Sequence, residues 1–344
     1  MSLSNKFISI IIVSYNSDKY LIDCLDSIQN SKTKSQYEVI VVDNASSDNT
    51  IINVPPKYPG ITFIRNEVNL GFAYANNQGI KISRGNYLLL LNPDTVVRNG
   101  ALDRMVEFLA TNPEAGACGC RILNGDGSLQ ASIFGFPNLL KEIGHLLRID
   151  KVQWLLNSLI RSKIINSLGR RNFPKLKLLD GALEVDYLLG ACLMIKASVI
   201  QEVGLLDESL FMYIEDTEIC YRIRLNGFGV YYVPDGEIIH YGGKSSETAD
   251  LRMLIEYTRS RLYFYRKFYG SISVNGFRLV LVLDMIVKMS LVFFSKYKKE
   301  MQQLQTRYSE PVAETRTRSY LSSMPDRLGS FKTYRQILKM VIKG

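Results

Sequence analysis

Five runs of β-branched and leucine side chains crowd the first 125 residues: FISIIIVSYN (7–16), YEVIVVDNAS (37–46), ITFIRN (61–66), NYLLLLNPD (86–94) and AGACGCRIL (115–123). They are too uniformly apolar for strands with one wet face, so both faces must be covered. Three stretches between them, 17–31, 71–83 and 100–113, carry apolar side chains at helical spacing, as in Tyr20, Leu21, Cys24, Leu25 and Ile28. This alternation predicts an α/β fold with a mostly parallel central sheet and helices on both faces.

In such sheets ligands bind beyond the carboxyl ends of the strands. Tyr15 and Asn16 follow the first strand, Asp43 ends the second, and Asp94 follows the fourth across Asn92-Pro93. These polar ends are expected to converge on one crevice, with Pro93 stopping its strand and turning Asp94 outward. Asp94 and His240, which ends the later apolar run EIIHYGG (237–243), could hold Mg²⁺ or Mn²⁺ together with diphosphate oxygens. Asp94 could equally be a turn or capping residue, and His240 a hydrogen-bonded core histidine.

Asp216, at the start of a helix in SLFMYIEDTEICYRIRLNGF (209–228), is a candidate general base, since a helix N-terminus favours the ionised carboxylate. Glu215 beside it is expected to face elsewhere, and both could be plain helix-terminal charges. Asp43 could accept the N3–H of a pyrimidine or cap a helix, with Ser46 or Ser47 capping in its place if it points into the crevice. Lys244, Ser245 and Ser246 follow two glycines, where donors could meet a phosphate.

Residues 137–184 read as a basic, leucine- and isoleucine-rich helical insert without strands, including one amphipathic helix at KVQWLLNSLIRSKIINSL (151–168). Residues 185–200 read as strand then helix, and 230–234 and 237–243 as two short strands. Beyond them come helices at 247–269 and 272–299, a weakly ordered linker at 300–329 and a last basic helix at 330–342. Of the +9 net charge, the segment 251–344 carries 18 Lys/Arg against 6 Asp/Glu, which leaves residues 1–250 mildly acidic. A basic, amphipathic tail suits an anionic membrane surface. It carries no recognised nucleic-acid motif, so no nucleic-acid partner is expected. The apolar run Leu279 to Phe294, interrupted by Asp284 and Lys288, falls short of the roughly 20 residues a spanning helix needs. The N-terminal apolar run leads straight into a strand and does not read as a signal peptide. The five cysteines form no CxxC pair and read as free, buried thiols of a reducing compartment. There is no P-loop and no GxGxxG after a strand, and two histidines leave little room for a Ser-His-Asp triad.

Seven segments occur in order: IIIVSYNS, VIVVDNASSDNT, NLGFAYANNQGI, YLLLLNPDT, LLGACLMIKASVI, LDESLFMYIEDTEICYRIR and IIHYGGKSS. Together they resemble glycosyltransferase family 2, and most its bacterial rhamnosyltransferase-type branch, over residues 7–270. The resemblance implies a GT-A fold over 1–270, with 137–184 as a variable insert and 271–344 as a helical C-terminal extension. It implies an inverting, metal-dependent transfer from a nucleotide sugar. Tyr15, Asn16 and Asp43 would hold base and ribose, and Asn69 and Asn76 would line the donor site. Asp94 would bind Mg²⁺ or Mn²⁺ with His240 as second ligand, Asp216 would be the base, and Lys244 to Ser246 would touch diphosphate or acceptor. The family's Asp-x-Asp reads Asn92-Pro93-Asp94 here, so one carboxylate remains. The expected reaction moves a deoxysugar, rhamnose from dTDP-rhamnose, to a glycan or lipid-linked acceptor in bacterial surface-polysaccharide assembly. The expected place is cytoplasmic, peripheral at the inner face of the plasma membrane. A UDP-hexose donor, or a catalytically silent nucleotide-sugar-binding scaffold, are the other readings.

Overall fold

The structure, a computed structural model, describes residues 6–146, 178–242, 251–308 and 331–343. The helix expected at 151–168 lies outside these residues. The chain divides into two compact units, 1–136 with 172–247, and 137–171 with 248–344.

The first unit opens with β1 (Phe7–Ser14), α1 (Asp18–Asn30), β2 (Gln36–Asp43), α2 (Thr50–Lys57), β3 (Thr62–Arg65) and α3 (Phe72–Ile82). Next come β4 (Tyr87–Leu91), β5 (Thr95–Val97), α4 (Ala101–Thr111), β6 (Ala115–Leu123) and β7 (Ile133–Phe134). After α5 (Leu139–Leu146), which belongs to the second unit, follow β8 (Leu178–Leu179), β9 (Ala182–Val185), β10 (Tyr187–Leu188) and β11 (Cys192–Lys196). The unit ends with α6 (Ala197–Val203), α7 (Glu215–Leu225) and β12 (Gly229–His240). The main sheet runs β3-β2-β1-β4-β11-β6-β12-β9-β8, with β5 also on β12. Strands β3, β2, β1 and β4 are parallel, as are β6 and β12, while β11 lies antiparallel between β4 and β6.

The strands have no polar face because both sides are covered. Ile8, Ile10, Ile12, Val39 and Val41 share a core with Leu21, Cys24, Leu25 and Ile28 of α1. The alternate residues Val13, Ile40 and Val42 pack with Ala75 of α3 on the other side. The five cysteines are free and buried, as expected.

Four local readings of the sequence are corrected. Helix α2 forms despite Pro55 and Pro56, which fall in its last turn, and Asp48 accepts from Thr50 N at 3.0 Å at its start, so neither Ser46 nor Ser47 is its cap. The stretch read as strand-free contains the hairpin β8–β9, turned by Asp180 (φ 46°) and Gly181 (φ 78°). Two consecutive left-handed residues make the type I′ turn that Asp-Gly favours. The two strands expected at 230–234 and 237–243 are one strand, β12, whose register shifts between Val233 and Glu237. Pro234 cannot donate to a ladder, and a bulge absorbs it. Finally, the short strand β5 was not expected, because three residues carry no periodicity.

The second unit is helical. Its long element α8 (Leu251–Tyr308) breaks at Gly270, where φ is 77° and ψ −177°. Tyr265 stacks on Phe277 with centroids 4.3 Å apart, and the Arg261 guanidinium lies 4.6 Å from the same ring. Twelve residues of straight helix span about 18 Å, so the two arms fold back on each other. Arg261 pairs with Glu142 of α5, and Tyr269 Oη donates to Pro137 O at 2.8 Å. Ile337 and Val341 of α9 (Phe331–Lys343) complete this core. The second arm runs to Tyr308, into the stretch expected as linker, and residues 309–330 lie outside the described ones. By length and apolar composition alone Arg252–Ser290 would suffice to cross a membrane, but the break at Gly270 divides it into two arms, so it is not one straight span.

Gly85 marks where the sheet tolerates nothing more. Its N–H donates to Ser9 Oγ at 2.8 Å, and an added Cβ would lie 2.5 Å from Ser9 N and 2.9 Å from Ile8 C, both backbone atoms of β1. Gly85→Ala is expected to destabilise the protein by about 1–3 kcal/mol. A urea midpoint equal to wild type would refute that contact.

Candidate active site

Beyond β4 the chain passes through Asn92, Pro93 and Asp94 into β5. Asn92 N donates to Ala191 O at 3.0 Å, which anchors the strand end to the segment entering β11. Strand β5 pairs antiparallel with the end of β12, Thr95 opposite His240, and Tyr241 N donates to Asp94 O at 3.0 Å. That register brings His240 Nε2 to 3.2 Å from Asp94 Oδ1, with both side chains 10% exposed. Asn92 Nδ2 lies 3.3 Å from the same nitrogen, and His240 Nδ1 lies 2.7 Å from Gln130 Oε1. Two ligand atoms at right angles around a small cation about 2.1 Å away stand roughly 3 Å apart, so the pair fits Mg²⁺ or Mn²⁺. Among the described residues no third His, Cys, Asp or Glu completes a cluster. Among the described residues Asp94 and His240 are what this site could offer a cation, and phosphate oxygens would have to supply other ligands.

Asp216 sits in the first turn of α7. Two left-handed residues, Tyr213 (φ 67°) and Ile214 (φ 70°), precede that turn. For a β-branched residue this conformation costs on the order of 1–3 kcal/mol, a strain that clusters at functional sites. Asp216 Oδ2 accepts from Gly190 N at 3.0 Å, and Oδ1 from Thr217 N at 2.6 Å and Thr217 Oγ1 at 3.1 Å. A Cβ on Gly190 would stand 3.2 Å from Asp216 Cβ. One short segment thus serves both centres: Gly190 holds Asp216 and Ala191 holds Asn92.

The electrostatics differ from the sequence expectation in sign. Burial raises the Asp216 pKa, outweighing the N–H donors that favour its charge. Burial, and then the Asp216 charge, push Glu215 up to about 8. Although Glu215 as a residue is partly exposed, its Oε2 is shut away from solvent and lacks a hydrogen-bond partner. A neutral Glu215 spares Asp216 a like charge.

The remaining candidates fall into two groups. At the ends of β1 and β2, Asn16 N donates to Ser46 Oγ at 2.9 Å and Asn16 Oδ1 accepts from Ser47 N at 2.8 Å, so Asn16 clasps the two loops. Tyr15 beside it is 45% exposed. Asp43 is buried; its Oδ2 accepts from Ser46 N at 3.0 Å, while Oδ1 has no partner. An orphaned carboxylate oxygen at a strand end suits an incoming N–H. Asn69 Oδ1 accepts from Asn44 Nδ2 at 2.9 Å and Gly71 N at 3.0 Å, shaping the loop after β3. Asn76 stands apart: it is 1% exposed and its amide donates to Phe72 O within its own helix at 2.9 Å. Lys244, Ser245 and Ser246 lie outside the described residues.

Sequence reasoning missed Asn92, Gln130, Gly190 and the character of Glu215. Asn92 adjoins a singled-out aspartate and was legible as a neighbour. Gln130 and Gly190 reach their partners across 110 and 26 residues, and nothing local announces either.

Residues 9–165 match the sequence model described as Glycosyl transferase family 2. Over those residues the chain is similar to glycosyltransferase family 2, and it is a glycosyltransferase. This glycosyltransferase is 26% identical over 248 residues to the N-acetylglucosaminyl-diphospho-decaprenol L-rhamnosyltransferase of Mycobacterium tuberculosis, covering 69% of this chain and 76% of that one. It is 25% identical over 240 residues to rhamnosyltransferase WbbL of Escherichia coli K12, covering 67% and 82%. The structure of GalNAc-T7 with UDP, GalNAc and Mn²⁺ superposes with a TM-score of 0.52 at 18% identity, over 76% of this chain and 50% of that one, which shows a shared GT-A fold.

Because folded Glu215 holds its proton more tightly than an unfolded glutamate, it makes stability fall as pH rises from the ordinary carboxyl range toward 8. Glu215→Gln is expected to flatten that fall and to raise the melting temperature at pH 8 relative to pH 5. Parallel wild-type and mutant melting curves across this range would exclude a proton-holding Glu215.

Proposed function

We propose that this glycosyltransferase moves rhamnose from dTDP-rhamnose to a hydroxyl of a lipid-linked glycan, with inversion and with Mg²⁺ or Mn²⁺. The observation that carries the reading is the linkage of Asp94 and His240, through Asn92 and the Gly190-Ala191 segment, to Asp216. The names of two relatives support the sugar, and one of those names carries a lipid diphosphate acceptor.

In this reading Tyr15, Asn16 and Asp43 receive the nucleoside, with the free Asp43 Oδ1 accepting the base N3–H. Asp94 Oδ1 and His240 Nε2 would hold the cation, which offsets the charge of the departing diphosphate when bound. Asp216 Oδ2 has one donor and keeps lone-pair capacity, whereas Oδ1 already accepts two. Asp216 takes the acceptor hydroxyl proton as that oxygen attacks the anomeric carbon from the face opposite the leaving group. The C–O bond to diphosphate breaks in the same displacement, and the configuration inverts. Burial makes Asp216 a stronger base for this proton. Lys244 to Ser246 are assigned to diphosphate or acceptor. A UDP-hexose donor would use the same machinery, since one carboxylate meets uracil and thymine alike. Relatedness to a poly-β-1,6-N-acetyl-D-glucosamine synthase of Staphylococcus epidermidis, 27% identical over 229 residues, keeps that reading in view.

The acceptor reading extends to the membrane. In the second unit Ile272, Leu279, Leu283, Ile286 and Phe293 are 42–90% exposed and recur at intervals that keep to one helical face. An apolar face in a segment with 18 basic against 6 acidic residues fits a helix lying in an anionic interface at the inner side of the plasma membrane.

Asp216→Asn is expected to keep nucleotide binding and lose about 10²-fold or more in turnover; near wild-type turnover would remove Asp216 from this role. Thermal stabilisation should be greater with dTDP than with UDP, and only when Mn²⁺ or Mg²⁺ is added. A larger UDP shift would move the donor to a UDP-sugar, and no shift with either would favour a silent scaffold. Leu279→Glu with Leu283→Glu should weaken sedimentation with anionic vesicles. Undiminished sedimentation would remove this helical face from the membrane contact.

A further inference from the structure

The turn after β6 is built as a chain of polar side chains that ends on His240. Ser128 donates to Asp126 Oδ1 through N at 2.9 Å and through Oγ at 2.6 Å. Asn124 Nδ2 donates to Ser128 Oγ at 2.8 Å, and Gln130 Nε2 donates to Asn124 Oδ1 at 2.9 Å. Gln130 Oε1 then faces His240 Nδ1 at 2.7 Å. Backbone bonds fix the frame: Asn124 N to Ser128 O at 2.8 Å, Gly127 N to Asn124 O at 2.9 Å, and Gln130 N to Ile122 O at 2.9 Å.

The direction of this chain is set from one end. An ionised carboxylate only accepts hydrogen bonds, and the bonds from Ser128 hold the Asp126 carboxyl below its usual range. The single Ser128 hydroxyl proton is therefore committed to Asp126, and its oxygen can only accept from Asn124. Asn124 must turn its NH₂ to Ser128 and its oxygen to Gln130. Gln130 must in turn give its NH₂ to Asn124 and its oxygen to the ring. An oxygen facing Nδ1 requires a proton on Nδ1, and the neutral ring then carries its lone pair on Nε2. That nitrogen meets two opposed groups: the Asn92 NH₂ at 3.3 Å, which can donate to the lone pair, and Asp94 Oδ1 at 3.2 Å, which as an acceptor favours a proton there, so the Nδ1–H ring requires the Gln130 and Asn92 contacts to outweigh Asp94.

We propose that Asp126, Ser128, Asn124 and Gln130 form a relay that fixes His240 as its Nδ1–H tautomer and aims the Nε2 lone pair at the space beside Asp94. These are positioning residues, and Asp126 acts from an exposed turn through three intermediaries. Which imidazole nitrogen can bind a metal is set by the hydrogen bond the other one makes. The use of the relay rests on reading Asp94 and His240 as the cation pair, whereas the tautomer itself does not.

With two histidines in the chain, ring ¹⁵N signals of the metal-free full-length protein at pH 8 can be assigned by comparison with His145→Gln. We expect His240 to show a protonated Nδ1 and an unprotonated Nε2. Gln130→Leu should move it toward the Nε2–H form, and Gln130→Glu, which can only accept, should keep the wild-type pattern. Mn²⁺ affinity in the presence of dTDP, followed by electron paramagnetic resonance, should fall about 10–100-fold in Gln130→Leu and little in Gln130→Glu. An Nε2–H wild-type ring, or an unchanged ring in Gln130→Leu, overturns the relay. An Nδ1–H ring in a wild-type protein that binds no Mn²⁺ with dTDP or UDP supports the relay and overturns the cation-pair reading.

Discussion

The site depends on a short antiparallel pairing between β5 and the end of β12, in which Thr95 lies opposite His240 and Val97 opposite Ile238. Without it Asp94 and His240 would be two residues at the ends of separate strands. With it Asp94 Oδ1 and His240 Nε2 stand 3.2 Å apart. The pairing needs a bent β12, because its first half pairs with β9 and its second half with β5. The bulge at Pro234 to Gly236 provides that bend, and Gly236 is tight there: an added Cβ would meet Cys120 Cβ at 3.0 Å. A structural irregularity in the strand is therefore a condition for the site.

The second centre is tied to the first by backbone. Gly190 and Ala191 place one N–H on Asp216 and one carbonyl on Asn92, so movement of this segment would disturb both. The strained left-handed residues Tyr213 and Ile214 precede α7, whose first-turn Asp216 is held by Gly190 N. Burial gives Asp216 and Glu215 a proton affinity that an exposed helix start would not. Desolvation wins over the helix dipole because the dipole contributes at most about 2 kcal/mol, while removing a carboxylate from water shifts its pKa by several units when nothing compensates.

Much of the first unit was legible because its signals are local. Five apolar runs marked β1, β2, β3, β4 and β6, and helical spacing marked α1, α3 and α4. The β8–β9 hairpin was also legible in Leu-Asp-Gly-Ala, and it was overlooked because a helical insert had been assigned across it. Helix α2 was hidden by its two prolines, whose place in the last turn is invisible until the helix start is known. The thiols of Cys120 and Cys192, 3.8 Å apart across β6 and β11, show the opposite limit, since their neighbourhood follows from a strand order no local pattern encodes.

The sequence by itself determined the element types, the sheet's double-sided burial, and the chemistry available at strand ends, because each follows from side-chain period and residue type. Ordered motifs also carried the resemblance to glycosyltransferase family 2. Tertiary structure alone decided which of those polar ends meet, that Gln130 holds the second nitrogen of His240, and that Asp216 gains rather than loses proton affinity. Those outcomes depend on distance and dielectric between residues far apart in the chain, and both come into being only when the strands have taken their order.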